Sequence, residues 1–364
     1  MTDDKTTVKK KEILKKIGAY FLIIAFAAGA LALYFLVREE TANRNDFIMD
    51  TFIQQKTVGR RATKTAEEAT ARLKELDRLL DMYDTASEIA AVNEAAGREA
   101  VKVSEETYAL LKRAAALSGE YGGAFDFTIG PVTRLWHDAK EKGTPPSAET
   151  VAEKLALTGV EKVRFNDDDG TVMLTEPGMA LDLGGIAKGY ACDVIRGIYE
   201  EADISTAIIS LGGNVYSYRS PRTQKGYRVG LRDPLGEEGD ILMALNITDR
   251  VIATSAAYER FFEYEGVSYH HILDPKTGMP SQADLLSVTV VSEDGTLADC
   301  LSTAFFVEGK EAVLEVLKRQ QAGETLPYEL IAVDTDRTIY LSPGLREKVT
   351  LYDDMKATYR LAES

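Results

Sequence analysis

Three short segments carry side chains whose types and spacing could do chemistry. In Ala298 to Phe305 (ADCLSTAF), Asp299 and Thr303 stand four residues apart, so on a helix a carboxylate and a hydroxyl share one face, with Ser302 beside them. Hard oxygen donors of this kind suit Mg²⁺. The same pattern also suits an ordinary helix, in which Asp caps the first turn and Ser and Thr bond back to earlier carbonyls. In Leu181 to Asp193 (LDLGGIAKGYACD), Gly184 and Gly185 permit close approach of a ligand to the backbone. A helix beginning near Ile186 would turn free N–H groups toward an anion. The alternative there is a plain glycine turn, with Asp182 near the helix N-terminus and Lys188 in solvent. In Tyr269 to Gly278 (YHHILDPKTG), His271 could act as a base near neutral pH, held by the turn from Asp274-Pro275 to Thr277-Gly278. A strand histidine satisfied by its neighbours is the other reading.

Several chemistries fail on pattern or count. The glycine spacing matches neither G-x-G-x-x-G nor G-x-x-x-x-G-K-[ST], so dinucleotide and P-loop readings fall. Two cysteines, Cys192 and Cys300, are too few for a cysteine-rich zinc site and read as buried free thiols. His270 and His271 are adjacent, so on a strand they face opposite ways and cannot chelate one ion together. The chain carries 43 Lys and Arg against 58 Asp and Glu, a formal charge of -15, which makes nucleic acid an unsuitable partner. A phosphorylated ligand would need that charge offset by a metal ion or oriented amides.

These segments need elements to hold them. From Thr65 to Tyr83, Ala69, Leu73, Leu76, Leu80 and Tyr83 recur at helical spacing, and Glu105 to Tyr121 repeats the pattern. Ser147 opens a shorter helix to Leu157, and Asn166 to Gly170 turns a hairpin. Phe47 to Gly59 reads as a first strand region, and Met179 to Glu200 as strand, glycine turn and helix. A further strand, Ala207 to Leu211, ends at Gly212-Gly213-Asn214. Short strands crowd Tyr227 to Val291, Ala298 to Arg319 returns to helix, and a hairpin closes the chain. Strands gathered in runs favour an α+β fold over a doubly wound parallel sheet.

The N-terminus has its own logic. Six lysines crowd residues 1–17, and Gly18 to Val37 holds no charge for 20 positions, enough as a helix to span a bilayer. The expected organisation is a cytoplasmic basic tail over 1–17, a transmembrane anchor over 18–37, a connector over 38–46 and a catalytic domain over 47–364. The positive-inside rule places that domain outside the cytoplasm, with the cell membrane as its location. A cleaved signal peptide is the rival reading.

Taken together, Asp182 to Asp193, Gly212 to Asn214, Ala253 to Phe262, His270 to Gly278 and Asp299 to Ala304 resemble, in order and wording, the ApbE family of FAD:protein FMN transferases. Met49 to Thr51, Ser87 to Asn93, Gly123 to Pro131 and Leu135-Trp136 extend the likeness. The resemblance implies a two-lobed α+β domain with mixed sheets and flanking helices. It further implies an enzyme that moves FMN from FAD to a threonine hydroxyl of an exported or membrane-bound acceptor flavoprotein and releases AMP. By similarity, Asp299, Ser302, Thr303 and the carbonyl of Gly185 would hold Mg²⁺. Met49, Tyr83, Ala124, Phe125, Asp126, Asp182, Lys188 and Ile272 would line the FAD site, and His271 would be the base. Ala256-Ala257, Ala90-Ala91 and Asp50 depart from the family wording. The remaining alternatives are FAD hydrolysis to FMN and AMP at the same centre, and a flavin-binding module without chemistry.

Overall fold

The computed structural model describes residues 15–31, 38–202, 204–221, 224–258, 261–282 and 284–362. A helix, α1 (residues 15–31), is exposed along its length. It corrects the transmembrane helix expected over Gly18–Val37. Residues 32–37 of that span lie outside the described residues. Among the described residues no helix is long and apolar enough to cross a membrane.

The connector expected over 38–46 is also corrected. β1 (Glu40–Ile48) runs antiparallel to β2 (Thr51–Gly59), in register from Glu40 opposite Gly59 to Ile48 opposite Thr51. Polar Asn43 and Asn45 on its exposed face hide the strand from a reading of hydrophobicity. Met49 and Asp50, both at φ 55°, make the two-residue turn of the tight-hairpin type.

α2 (Ala62–Leu80) buries Ala69, Leu73, Leu76 and Leu80, the face read from their spacing. Then come α3 (Glu88–Glu94), β3 (Val101–Lys102), α4 (Glu105–Glu120), α5 (Gly130–Lys142) and α6 (Ala148–Leu155). Ser87, Ser104 and Ser147 cap α3, α4 and α6, each hydroxyl accepting from an amide of the first turn. α5 was not expected, because its Gly130-Pro131 start looks like a turn; proline is tolerated there since the first turn lacks carbonyl partners anyway. β4 (Val163–Asn166) and β5 (Thr171–Leu174) form the expected hairpin, which with β3 makes a small sheet. The strand expected from Met179 reduces to one bridge, Ala180 to Ile129, before α7 (Ala187–Glu201).

The second half supplies β6 (Thr206–Leu211), β7 (Asn214–Tyr218), β8 (Tyr227–Arg232), β9 (Ile241–Ile247), β10 (Arg250–Ala256), β11 (Phe262–Tyr264), β12 (Val267–Tyr269) and β13 (Leu285–Ser292). The single helix expected over Ala298 to Arg319 is two, α8 (Gly295–Glu308) and α9 (Lys310–Gln321), separated by Gly309 at φ 84°. β14 (Tyr328–Asp334), β15 (Thr338–Leu341), β16 (Val349–Leu351) and β17 (Arg360–Leu361) complete the chain.

Nine strands form one sheet in the order β1-β2-β6-β7-β10-β13-β14-β15-β17, antiparallel throughout except β15 with β17. One face packs under α2, α7 and α8, where Leu73, Leu76, Ile195, Leu211, Ala253, Val288 and Leu301 are buried. Each such leucine contributes about 2 kcal/mol through water released from its surface. The other face carries a second core, in which Leu242 and Leu245 of β9 meet Ile252, Val291 and Ile331. A third, smaller cluster of Val132, Trp136, Val151 and Leu273 joins α5 and α6 to the loop after β12. The result is the α+β arrangement of mixed sheets and flanking helices, with the site segments at the join of sheet, α7 and α8.

Candidate active site

Asp299 lies on α8 where α7 crosses it. The crossing is close because both helices present glycine: a Cβ on Gly189 would lie 2.6 Å from Asp299 Cβ and closer still to the Gly295 carbonyl oxygen. This proximity lets the Gly189 N–H donate to Asp299 Oδ2 at 2.9 Å. Asp299 is 4% exposed, so its remaining oxygen is the valuable one. Asp193 of α7 fixes the start of α8, accepting from the amides of Gly295 and Thr296 at 2.8 Å each and from the Thr296 hydroxyl at 2.7 Å. The cysteines near this crossing, Cys192 and Cys300, are buried free thiols, and burial pushes both up in pKa.

One turn on, Ser302 donates to the Asp299 carbonyl at 2.9 Å. Its proton being committed, the 2.9 Å bond to Ser255 of β10 has Ser255 as donor, and Thr303, 3.3 Å from Ser255, donates in turn. The lone pairs of Thr303 are left to accept or coordinate. Thr303 Oγ1 and the Phe125 ring both close on Gly185, at 3.4 and 3.3 Å from where a Cβ would stand. Asp299, Thr303, Gly185 and Phe125 are thus brought together, while Ser302 sits behind them, fully buried. Ser255 completes the group and was not singled out from sequence, although it lies within the Ala253 to Phe262 segment.

The Leu181 segment forms the glycine turn read from its sequence, leading into α7. Asp182 does not cap α7: its Oδ1 accepts from the Gly184 amide and its Oδ2 from the Thr133 hydroxyl, each at 2.8 Å. The amides of Ile186 and Ala187 are taken by the Leu183 carbonyl and that of Gly189 by Asp299, so this helix start is less open to an anion than the glycines suggest. Lys188 is half-buried and folds back to the Gly184 carbonyl at 3.1 Å. Asn93 holds the segment from below, its Nδ2 donating to the Leu181 carbonyl at 3.0 Å and its Oδ1 accepting from the Leu181 amide at 2.6 Å. That double bond gives the Ser87 to Asn93 motif its physical purpose.

Around this centre, Ala124 and Phe125 are buried, and burial raises the Asp126 carboxyl despite two hydrogen bonds from Thr128 that favour its charged form. Tyr83 is about half exposed, lies 5.2 Å ring to ring from His137, and is pushed up to about 12 by desolvation and by the Asp182 carboxylate. Met49 stands on the β1–β2 turn, its amide bonded to the Asp77 carboxylate of α2. It belongs to a different element from the Asp299 group, as does His271.

His270 and His271 separate as expected, one buried and the other exposed. The His270 Nδ1 accepts from the Ile272 amide at 3.3 Å, which leaves Nε2–H to donate to the Ser281 carbonyl at 2.9 Å. Ile272 is 6% exposed within the main core. The loop is also pinned to α5, where the Trp136 indole donates to the Gly278 carbonyl at 2.8 Å and stacks on Tyr269. Burial holds the His270 imidazole below its ordinary value, the Ser281 contact opposing. The neutral ring therefore belongs to the native state, and the unfolded chain binds the proton first. Stability from this residue is complete above about pH 6.5 and is lost as pH falls from there toward the depressed native value. A melting series from pH 7.5 to 5 should show a falling Tm, with a shallower fall in His270→Gln; equal slopes would refute the assignment.

The oxygen groups brought together here are the Asp299 carboxylate and the Thr303 hydroxyl beside Gly185, and among the described residues no cluster of three or more His, Cys, Asp or Glu side chains could hold a metal. Such a set fits Mg²⁺, which keeps several waters and takes one or two carboxylates together with substrate phosphates. It does not fit zinc.

Residues 49–326 match the family model described as the ApbE family. A protein of Klebsiella pneumoniae (strain 342) named FAD:protein FMN transferase is 34% identical over 281 residues, 77% of this chain and 85% of its own. One of the same name from Treponema pallidum (strain Nichols) is 32% identical over 300 residues, 79% and 82% of the two chains. The crystal structure of the ApbE protein from Thermotoga maritima superposes with a TM-score of 0.74 at 32% identity, over 88% of this chain and all of that one. With fold, motif order and sequence in agreement, this chain belongs to the ApbE family.

Proposed function

We propose that this protein transfers the FMN half of FAD to a threonine hydroxyl of an acceptor flavoprotein in a Mg²⁺-dependent reaction that releases AMP. The observation that carries the reading is the convergence of Asp299, Thr303, Gly185 and Phe125 at the α7–α8 crossing of a chain whose relatives bear the name FAD:protein FMN transferase. Asp299, Thr303 and the Gly185 carbonyl, supported by Ser302, are the groups that would hold Mg²⁺. When bound, the ion would offset the diphosphate charge and polarise the phosphorus centre.

The remaining work belongs to side chains of this chain. His271 takes the proton from the acceptor hydroxyl, because a neutral alcohol is a poor nucleophile. The new bond joins threonine Oγ to the FMN phosphorus, the bond from that phosphorus to the bridging oxygen breaks, and AMP leaves with the electron pair. Lys188 adds positive charge near the Gly184 carbonyl. Tyr83, Met49, Ala124 to Asp126, Asp182 and Ile272 form the FAD surround. The basic N-terminus followed by an apolar run fits export, so the acceptor is proposed to be an exported or membrane-held flavoprotein.

The test uses the chain with FAD, Mg²⁺ and a peptide bearing an acceptor threonine. Flavin fluorescence that stays on the peptide through a denaturing gel, with equal AMP, is the expected result; AMP and free FMN without labelled peptide would sink the transferase reading. His271→Asn should slow transfer by about 10² to 10⁴-fold. A rate near that of the wild type would remove His271 from the base role.

A further inference from the structure

The Gly212-Gly213-Asn214 turn brings a buried amide to the end of the sheet where Ser255 meets Thr303. Asn214 is 1% exposed, and its Nδ2 has no hydrogen-bond partner. An unmet donor in the interior is destabilising, because the group has lost its water without gaining a partner. Register fixes the direction it faces. Asn214 lies opposite Leu211 on β6 and Ala253 on β10, and directly opposed residues share a face of the sheet. Leu211 and Ala253 belong to the core beneath the helices, so Asn214 faces the helices too.

Ser255, two residues from Ala253, projects from that same face as a diagonal neighbour about 7–8 Å away. Its hydroxyl is the one bonded to Ser302 and Thr303. On the other flank Thr51 crowds Gly212, where no Cβ would fit against its hydroxyl. The amide donor therefore shares its face of the sheet with the Ser255 hydroxyl at the edge of the candidate site, and no oxygen among the described residues accepts from it.

We propose that Asn214 is a substrate-binding residue whose Nδ2 donates to an oxygen of the FAD diphosphate held at Asp299 and Thr303. The inference rests on the function proposed above. A diphosphate offers only acceptor oxygens, which is what the amide lacks, and a hydrogen bond to a charged oxygen is about twice as strong as a neutral one. A neutral amide also donates without adding to the negative charge around the ligand.

Two near-isosteric variants test it. Asn214→Leu removes the unmet donor, so the ligand-free protein should melt at the wild-type temperature or above, while the dissociation constant for FAD with Mg²⁺, read by flavin fluorescence, should rise about ten-fold or more. ADP, which carries the diphosphate without the flavin, should lose affinity in parallel. Asn214→Asp should weaken both ligands further, through repulsion. FAD affinity within two-fold of wild type in Asn214→Leu overturns the proposal, as does a loss confined to FAD with ADP unchanged, or a drop in melting temperature with both affinities intact. If the wild-type chain itself binds no FAD, the proposed function fails and carries the inference with it; equal affinities in wild type and variants remove the inference alone.

Discussion

Replacing Asp299 with asparagine is expected to cut flavin transfer on the order of 10³-fold while leaving the fold in place. The amide oxygen of asparagine can still accept from Gly189, so the α7–α8 crossing survives, but the carboxylate proposed to hold Mg²⁺ loses its charge. A thousand-fold corresponds to about 4 kcal/mol of transition-state stabilisation, within what a divalent ion supplies at a transferring phosphoryl group. Initial rates of AMP release across a Mg²⁺ titration would check it, with a melting curve as the control. A variant that keeps the wild-type rate and Mg²⁺ requirement would exclude Asp299 from the metal centre. Asp299→Ala is the poorer choice, since it also orphans the buried Gly189 amide.

Gly189→Ala should be as damaging for a purely steric reason. The added methyl group would sit 2.6 Å from Asp299 Cβ and against the Gly295 backbone, where no flexible side chain can yield. The helices must part, at about 3 kcal/mol, which for a chain of this size lowers Tm by about 4 °C. Because Asp299 rides on the displaced helix, transfer falls with stability. Thermal melts and AMP assays on the same preparation would show both losses; a stable, active alanine variant would mean that the crossing is looser than described.

Much of this architecture was legible in the sequence where one physical signal dominated. α2 was visible because Ala69, Leu73, Leu76 and Leu80 bury one face, and α6 because Ser147 caps it. Hidden elements are those in which two signals cancel. β1 shows polar residues on its open face, α5 begins with the residues of a turn, and α8 and α9 run together because a single Gly309 separates two apolar patterns. In the N-terminal run, hydrophobicity alone marks a stretch of 20 residues, whereas no helix among the described residues is long and apolar enough to cross a membrane.

The site divided in the same way. Asp299 and Thr303 could be paired from their spacing because helical geometry is local. Ser255 could not be paired with them, since it arrives from a strand 47 residues from Ser302 in the chain. Asn93 and Asp193 were invisible as supports for the same reason, as their partners lie 88 and about 100 residues away. Asp182 could be placed near a helix start from sequence, but not its partners, since its oxygens accept from Gly184 and from Thr133, 49 residues away.

The loop that carries His271 is fastened on both sides, by the His270 ring to Ser281 and by the Trp136 indole to Gly278. Fixing one backbone residue costs about 1–2 kcal/mol of conformational entropy. That cost is met here when the polypeptide folds rather than when a substrate arrives. The binding free energy of a large, flexible dinucleotide can then go toward straightening and orienting the ligand, and none of it is diverted to assembling the protein around the proposed base.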